Sequence, residues 1–221
     1  TIFNRSQIKF IIFICGLFFS LTSSGQNVTV AGANPLTPNG TFATLNAAFT
    51  AINARAQNAL NITITITNNT TELVSANLNQ SSGPWASLTI QPAGLRTITG
   101  AILGPLINLN GADNVTINGL NAGGNTLTLS NTSTSNQAAT IKFVLDATNN
   151  LVTNCTILGS SLGIFSAAAD GAVIWFSNAS VAAGNDNNTI SNNDLGPAGA
   201  NLPGIYIKSH CTTAGKDNSN I

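Results

Sequence analysis

Charge is what this sequence has least of. Seven Lys and Arg and seven Asp and Glu make up 6% of its 221 residues, where a globular domain ordinarily carries about 25%. With no excess of basic residues there is no surface to neutralise phosphates, which excludes nucleic acid as a partner. One His and three Cys cannot supply a multi-ligand zinc module. A disordered chain is excluded too, because low charge here accompanies 43% hydrophobic residues. What is abundant instead is asparagine, 32 residues, and threonine, 27, both above ordinary usage. That is the composition of a β-rich, turn-rich, uncharged scaffold, and the length fits one domain or part of a larger one.

Long hydrophobic runs are also missing. The longest, Phe10–Phe19, has ten residues, too few to cross a bilayer, which needs about 20. Arg5 and Lys9 precede it, and Ser20, Leu21, Thr22, Ser23, Ser24 and Gly25 follow. This is the charged, apolar, small-residue order of a secretory signal peptide over residues 1–25, with cleavage expected after Gly25. A lipoprotein signal built on Cys15 fails, because Phe13 and Ile14 before it are bulky. Processing would leave five basic against seven acidic residues, a net of −2, and keep only Cys155 and Cys211. Localisation is therefore expected to be secreted or outer cell surface, with no membrane span after cleavage. A sequence that opens on Thr1 is expected to lack its true start.

Residues 26–61 read as an N-terminal strand and a capping helix. Asn27–Ala33 is strand-like, and Pro35, Pro38 and Gly40 break it. Thr44 can cap a helix reaching Ala56, in which Leu45, Ala48, Phe49, Ile52 and Ala56 share one face. The period then switches to two: Ile62, Ile64 and Ile66 alternate with Thr63, Thr65 and Thr67. Leu88 and Ile90 begin a further strand, and Ile98 another.

From about residue 105 the chain repeats itself. Segments beginning at Asp113, Thr148, Asp186 and Asp217 align without gaps, each with Asn second and an aliphatic residue fifth. Each follows a short apolar strand, such as Leu106–Leu109 or Val173–Phe176. A period of this size marks a solenoid or a propeller. Short strands, turns of Asn, Gly and Asp, and a variable step favour a solenoid of β-coils over residues 62–221. In such a stack equivalent side chains pile up. The expected files are Ile117, Val152, Ile190 and Ile221; then Leu120, Cys155 and Asn193; then Ala122, Ile157 and Leu195. Piled charges would repel across about 4.8 Å, whereas piled amides hydrogen-bond. The low charge follows from the repeat.

The runs N-T-I-S-N-N at 188–193 and L-V-T-N-C-T-I at 151–157 resemble coils of right-handed parallel β-helix proteins of the pectate-lyase-like superfamily. The likeness is nearest to large secreted surface proteins of Bacteroidetes type. It covers roughly residues 40–221 and implies an all-β fold, a right-handed parallel β-helix with the helix capping its open first coil. Separately, Ile221 falls in the middle of a motif whose earlier copies continue, so further coils are expected after it.

Enzymes on this fold need clustered carboxylates. Asp113, Asp186 and Asp217 share a turn position interrupted by Thr148, and Glu72, Asp146, Asp170 and Asp194 complete the acidic set. A calcium-binding or sugar-binding edge is one account, and turn capping by Asx hydrogen bonds is the favoured one. Asn192-Asn193-Asp194 and Ile207-Lys208 resemble polygalacturonase runs, but Tyr206 stands where Arg is needed and no Asp-Asp pair exists. His210 beside Cys211 has no second His to complete a site. A Cys155–Cys211 disulfide is disfavoured by their unlike strand positions. Trp85, Trp175 and Tyr206 are candidates for stacking on sugar rings. The Thr63–Thr67 ladder could order water only if repeated in register on several coils, and is taken as a solvated strand face.

The expected function is a structural stalk or adhesin contacting an extracellular polysaccharide or cell-surface glycan, monomeric, without a catalytic site in these residues and with calcium the only ion weighed. The alternative is the N-terminal part of a polysaccharide lyase or glycoside hydrolase whose site lies downstream. The glycan or calcium candidates are Asp113, Asp186, Asp194, Lys208, Asp217, Trp175 and Tyr206.

Overall fold

The computed structural model describes residues 25–35, 40–80, 82–164, 171–177, 183–210, 218, 219 and 221. Residues 1–24 of the expected signal segment, Asp170, Cys211 and Asp217 lie outside them. The chain opens with strands β1 (Val28–Ala31) and β2 (Thr41–Phe42) and helix α1 (Leu45–Asn53). Five three-strand coils follow. The first is β3 (Asn61–Ile66), β4 (Thr70–Glu72) and β5 (Ala76–Asn79); the second β6 (Ser87–Pro92), β7 (Leu95–Gly100) and β8 (Pro105–Asn110). The third is β9 (Val115–Asn118), β10 (Thr126–Asn131) and β11 (Ala139–Val144); the fourth β12 (Leu151–Thr153), β13 (Cys155–Gly159) and β14 (Ile174–Phe176). The fifth is β15 (Thr189–Ser191), β16 (Asp194–Pro197) and β17 (Ile207–Ser209).

Equivalent strands pair into three sheets: sheet A in the order β15-β12-β9-β6-β3-β1-β2, sheet B β16-β13-β10-β7-β4, and sheet C β17-β14-β11-β8-β5. Every pairing between coils is parallel. This is a parallel β-solenoid. No helix among the described residues is long and apolar enough to cross a membrane.

Alternating side chains point inward and pile in register. Ile64, Ile90, Ile117, Val152 and Ile190 form one file, the first four fully buried. Each such side chain contributes about 1.5–3 kcal/mol. In sheet C the file Leu78, Leu109, Phe143 and Phe176 ends in two rings stacked at 4.5 Å with planes 12° apart.

Two expected files need correction. Cys155 lies beside Leu127, not Leu120, and Ile157 beside Leu129, not Ala122. A loop through Gly123 and Gly124, closed by an Ala122–Asn125 bridge, pushes β10 seven residues along. The last copy also shifts by two. The amide of Thr148 donates to Asp113 and that of Ser219 to Asp186, so Ser219 rather than Asp217 is the equivalent of Asp186. Ile221 therefore leaves the aliphatic file, and it is exposed. The repeat also begins earlier than residue 105, since β3 already pairs with β6 and β6 with β9.

The first coil is closed by a compound cap. Strand β1 pairs antiparallel with β3 on one side and β2 on the other, covering the edge that a bare coil would expose. Helix α1 seals the core with Leu45, Ala48, Phe49 and Ile52. Thr44 Oγ1 accepts from the Ala47 amide at 3.2 Å. The buried carboxylate of Glu72 accepts from Leu45 and Asn46, both at 2.9 Å, satisfying two further first-turn donors. The helix ends at Asn53, short of Ala56, where Gln57 Nε2 donates to the carbonyls of Ile52 and Arg55.

Candidate functional site

Three places on the solenoid gather the candidate residues. The first is the corner entering sheet A. Asn114, Asn149 and Asn187 turn the chain there with φ of 57°, 56° and 55°, a conformation that asparagine tolerates. The Asx capping expected for Asp113 and Asp186 runs between coils rather than within a turn. Asp113 Oδ1 accepts from the Thr148 amide at 2.7 Å and its hydroxyl at 2.9 Å. Asp186 Oδ1 accepts from the Ser219 amide at 2.7 Å. Burial raises the Asp113 pKa above its ordinary value, against the bonds from Thr148. A pocket of about 130 Å³ sits beside it, lined by Gln80, Pro84, Trp85, Asp113 and Asn114. The Trp85 ring is buried and its Nε1 donates to the Asp113 carbonyl at 2.7 Å.

Behind this corner runs an internal amide ladder. Asn150 Oδ1 accepts from the Val115 amide of the coil before it, and its Nδ2 donates to Ala112 O. Asn188 repeats both bonds one coil on, with the Asn150 amide and Ala147 O. All four distances lie between 2.8 and 3.1 Å.

The second place is the corner between sheets A and B. Asn121, Asn154 and Asn192 turn it with φ of 46°, 58° and 53°. With Thr126, Leu127, Cys155, Thr156 and Asp194 they line a groove of about 270 Å³. Gly119 is needed there, because a Cβ would stand 2.0 Å from the Asn154 carbonyl oxygen. Asp194 is exposed at the start of β16, level with Thr156. Cys155 points into the core, where burial pushes its thiol up to about 12.

The third place is the outer face of sheet C. Lys142, Trp175 and Lys208 occupy equivalent positions in three successive coils. The Lys142 ammonium lies 4.0 Å from the Trp175 ring centroid and that of Lys208 5.7 Å, a cation–π stack. Trp175 and Lys208 are buried. Burial lowers the Lys142 pKa. Trp175 Nε1 has no hydrogen-bond partner among the described residues. Tyr206, just before β17, is 40% exposed.

The fold thus brings Trp175 and Lys208 together, and Asp113 and Trp85 together. It keeps Asp113 and Asp186 two coils apart, about 10 Å by strand spacing, and puts Asp194 at a different corner. Among the described residues no three His, Cys, Asp or Glu side chains form a metal-binding group. Lys142 and Gln80 escaped the sequence. Aligning Ile141-Lys142-Phe143 with Ile174-Trp175-Phe176 and Ile207-Lys208 would have found the first. Gln80 lies outside every repeat copy and carries no such signal.

No family model, curated protein or solved structure matches this chain.

Proposed function

We propose that this chain is the β-solenoid portion of a secreted or surface-displayed stalk or adhesin, meeting a glycan at the groove of Asn154, Asn192 and Asp194. The carrying observation is how the acidic groups are used. Glu72 caps a helix, and Asp113, Asp146 and Asp186 each accept from a backbone amide one coil away. The three aspartates tie each coil to the next, as a spacer under tension requires. The groove supplies amides, hydroxyls and one carboxylate, the groups that pair with sugar hydroxyls. It runs along three successive coils, from Asn121 past Asn154 to Asn192, so a chain of sugars can lie along the axis with successive rings on successive coils.

A glycan array probed with the full chain tests this. Binding to polysaccharide is expected, and Asp194→Ala together with Asn154→Ala should weaken it about tenfold or more. Binding that survives both changes would remove the groove from the proposal. Export is tested separately, by fusing residues 1–25 to a reporter that is active only outside the cytoplasm.

A further inference from the structure

Given the groove between sheets A and B as a glycan site, its lining also selects among glycans, and the selection rests on that reading. One carboxylate lines it, that of Asp194, and no Lys or Arg does. Asp194 is exposed, and its side chain bonds to no described residue. The cations among the described residues stand elsewhere. Arg55 follows helix α1, and Lys142 and Lys208 lie on sheet C. Arg96 is level with Leu127 on the preceding coil, outside the groove, and its Nη1 donates to the Leu95 carbonyl at 3.0 Å. A uronate carboxylate or a sulfate in the groove would meet a fixed negative charge with no partner of opposite sign.

What the groove does supply is neutral and repeated. Asn121 and Asn192 are exposed, with side chains that bond to no described residue. Asn154 Nδ2 donates to Asn118 Oδ1 at 3.1 Å, which leaves its own Oδ1 as an acceptor. The Thr126 and Thr156 hydroxyls add both donors and acceptors. No aromatic ring lines the groove, so ring stacking contributes nothing there. The coils it crosses lie about 4.8 Å apart. The geometry points to a neutral, extended polysaccharide as the ligand, one whose hydroxyls recur along the chain at close to the coil spacing. A tightly wound glycan turns successive hydroxyls away from the axis, and an acidic one is repelled by Asp194.

The test is titration calorimetry of the full chain with hexasaccharides. Cellohexaose, mannohexaose and xylohexaose are the neutral extended probes, maltohexaose the neutral wound one and hexagalacturonate the acidic one. At least one extended neutral hexamer should bind tenfold or more tighter than maltohexaose and hexagalacturonate, and EDTA should not change that order. Asp194→Asn, which removes the charge and keeps an acceptor, should raise hexagalacturonate binding relative to the neutral hexamer at least fivefold at low salt. Arg96→Gln should leave the preference unchanged. Circular dichroism of each variant establishes that it is folded. A preference for hexagalacturonate or maltohexaose that is lost in Asp194→Ala together with Asn154→Ala would overturn the neutral extended ligand and leave the groove as a glycan site. Hexagalacturonate bound only until EDTA is added would do the same, by assigning Asp194 to a bridging cation. An unaltered ratio in Asp194→Asn would overturn selection by charge. No binding of any hexamer would remove the groove and this ligand together.

Discussion

In the first two coils the strands of sheet A are six residues long, and each buries three side chains in strict alternation. In the last two they are three residues long. The step between equivalent residues changes in parallel. It is 26 residues from Ile64 to Ile90 and 27 from Ile90 to Ile117, then 35 to Val152 and 38 to Ile190. Long strands satisfy their own backbone through the sheet. Where strands shorten and corners lengthen, more backbone groups fall outside the ladders and still need partners. The buried amides of Asn150, Asn185 and Asn188 supply them, each linking one coil to the next. One end of the molecule is therefore held mainly by aliphatic burial and the other increasingly by polar ladders.

The largest expected effect tests the aliphatic end. Ile90→Ala should lower unfolding free energy by about 2–5 kcal/mol, measured by urea denaturation, because the cavity lies mid-file. Ile190→Ala, half-buried at the far end of the same file, should cost clearly less. Equal costs would break the comparison.

Asn150→Ala tests the polar end. It leaves the Val115 amide and the Ala112 carbonyl buried without partners, at a cost of about 1–3 kcal/mol. Asn77→Ala, in the exposed outer ladder with Asn108, should fall within about 0.5 kcal/mol of wild type. Parity between the two would deny the inner ladder its role.

Glu72→Ala removes two bonds from the helix N-terminus and should cost about 0.5–2 kcal/mol. Glu72→Gln, which keeps one acceptor, should cost less. Amide exchange at Leu45 and Asn46 would report the loss directly.

The smallest effect is one of pH. Burial raises the Asp113 pKa, so the folded chain holds that proton more tightly than the unfolded chain. Its contribution to stability is fully present below about pH 3.8, the ordinary value, and is lost as pH rises through the folded-state pKa. Asp113→Asn keeps an acceptor for Thr148 and should flatten that decline in melting temperature. An unchanged profile would assign the decline to another group.

Much of this was legible in the residues. The 3.6 period of Leu45, Ala48, Phe49 and Ile52 located the helix, and Thr44 its cap. The fifth-position aliphatics located the file through Ile117, Val152 and Ile190. Register after an insertion was not legible. The motif at 151–157 aligns equally well with Leu120 or Leu127, because both are apolar and only the hairpin at Ala122–Asn125 decides between them. The same ambiguity hid the equivalence of Ser219 with Asp186. As for the candidate sites, Asp113, Trp175 and Lys208 were visible as residues but not as neighbours, since Asp113 meets Thr148 across a whole coil.

By itself the sequence determined that equivalent residues would pile, because alternation of apolar and neutral polar side chains with αL asparagines at the corners has few other ways to bury its aliphatics without stacking like charges. Only the tertiary structure decided which residues meet. A coil returns to its neighbour after a number of residues set by how far each corner bulges. That length is a property of the closed loop and its contacts, not of any local run of residues.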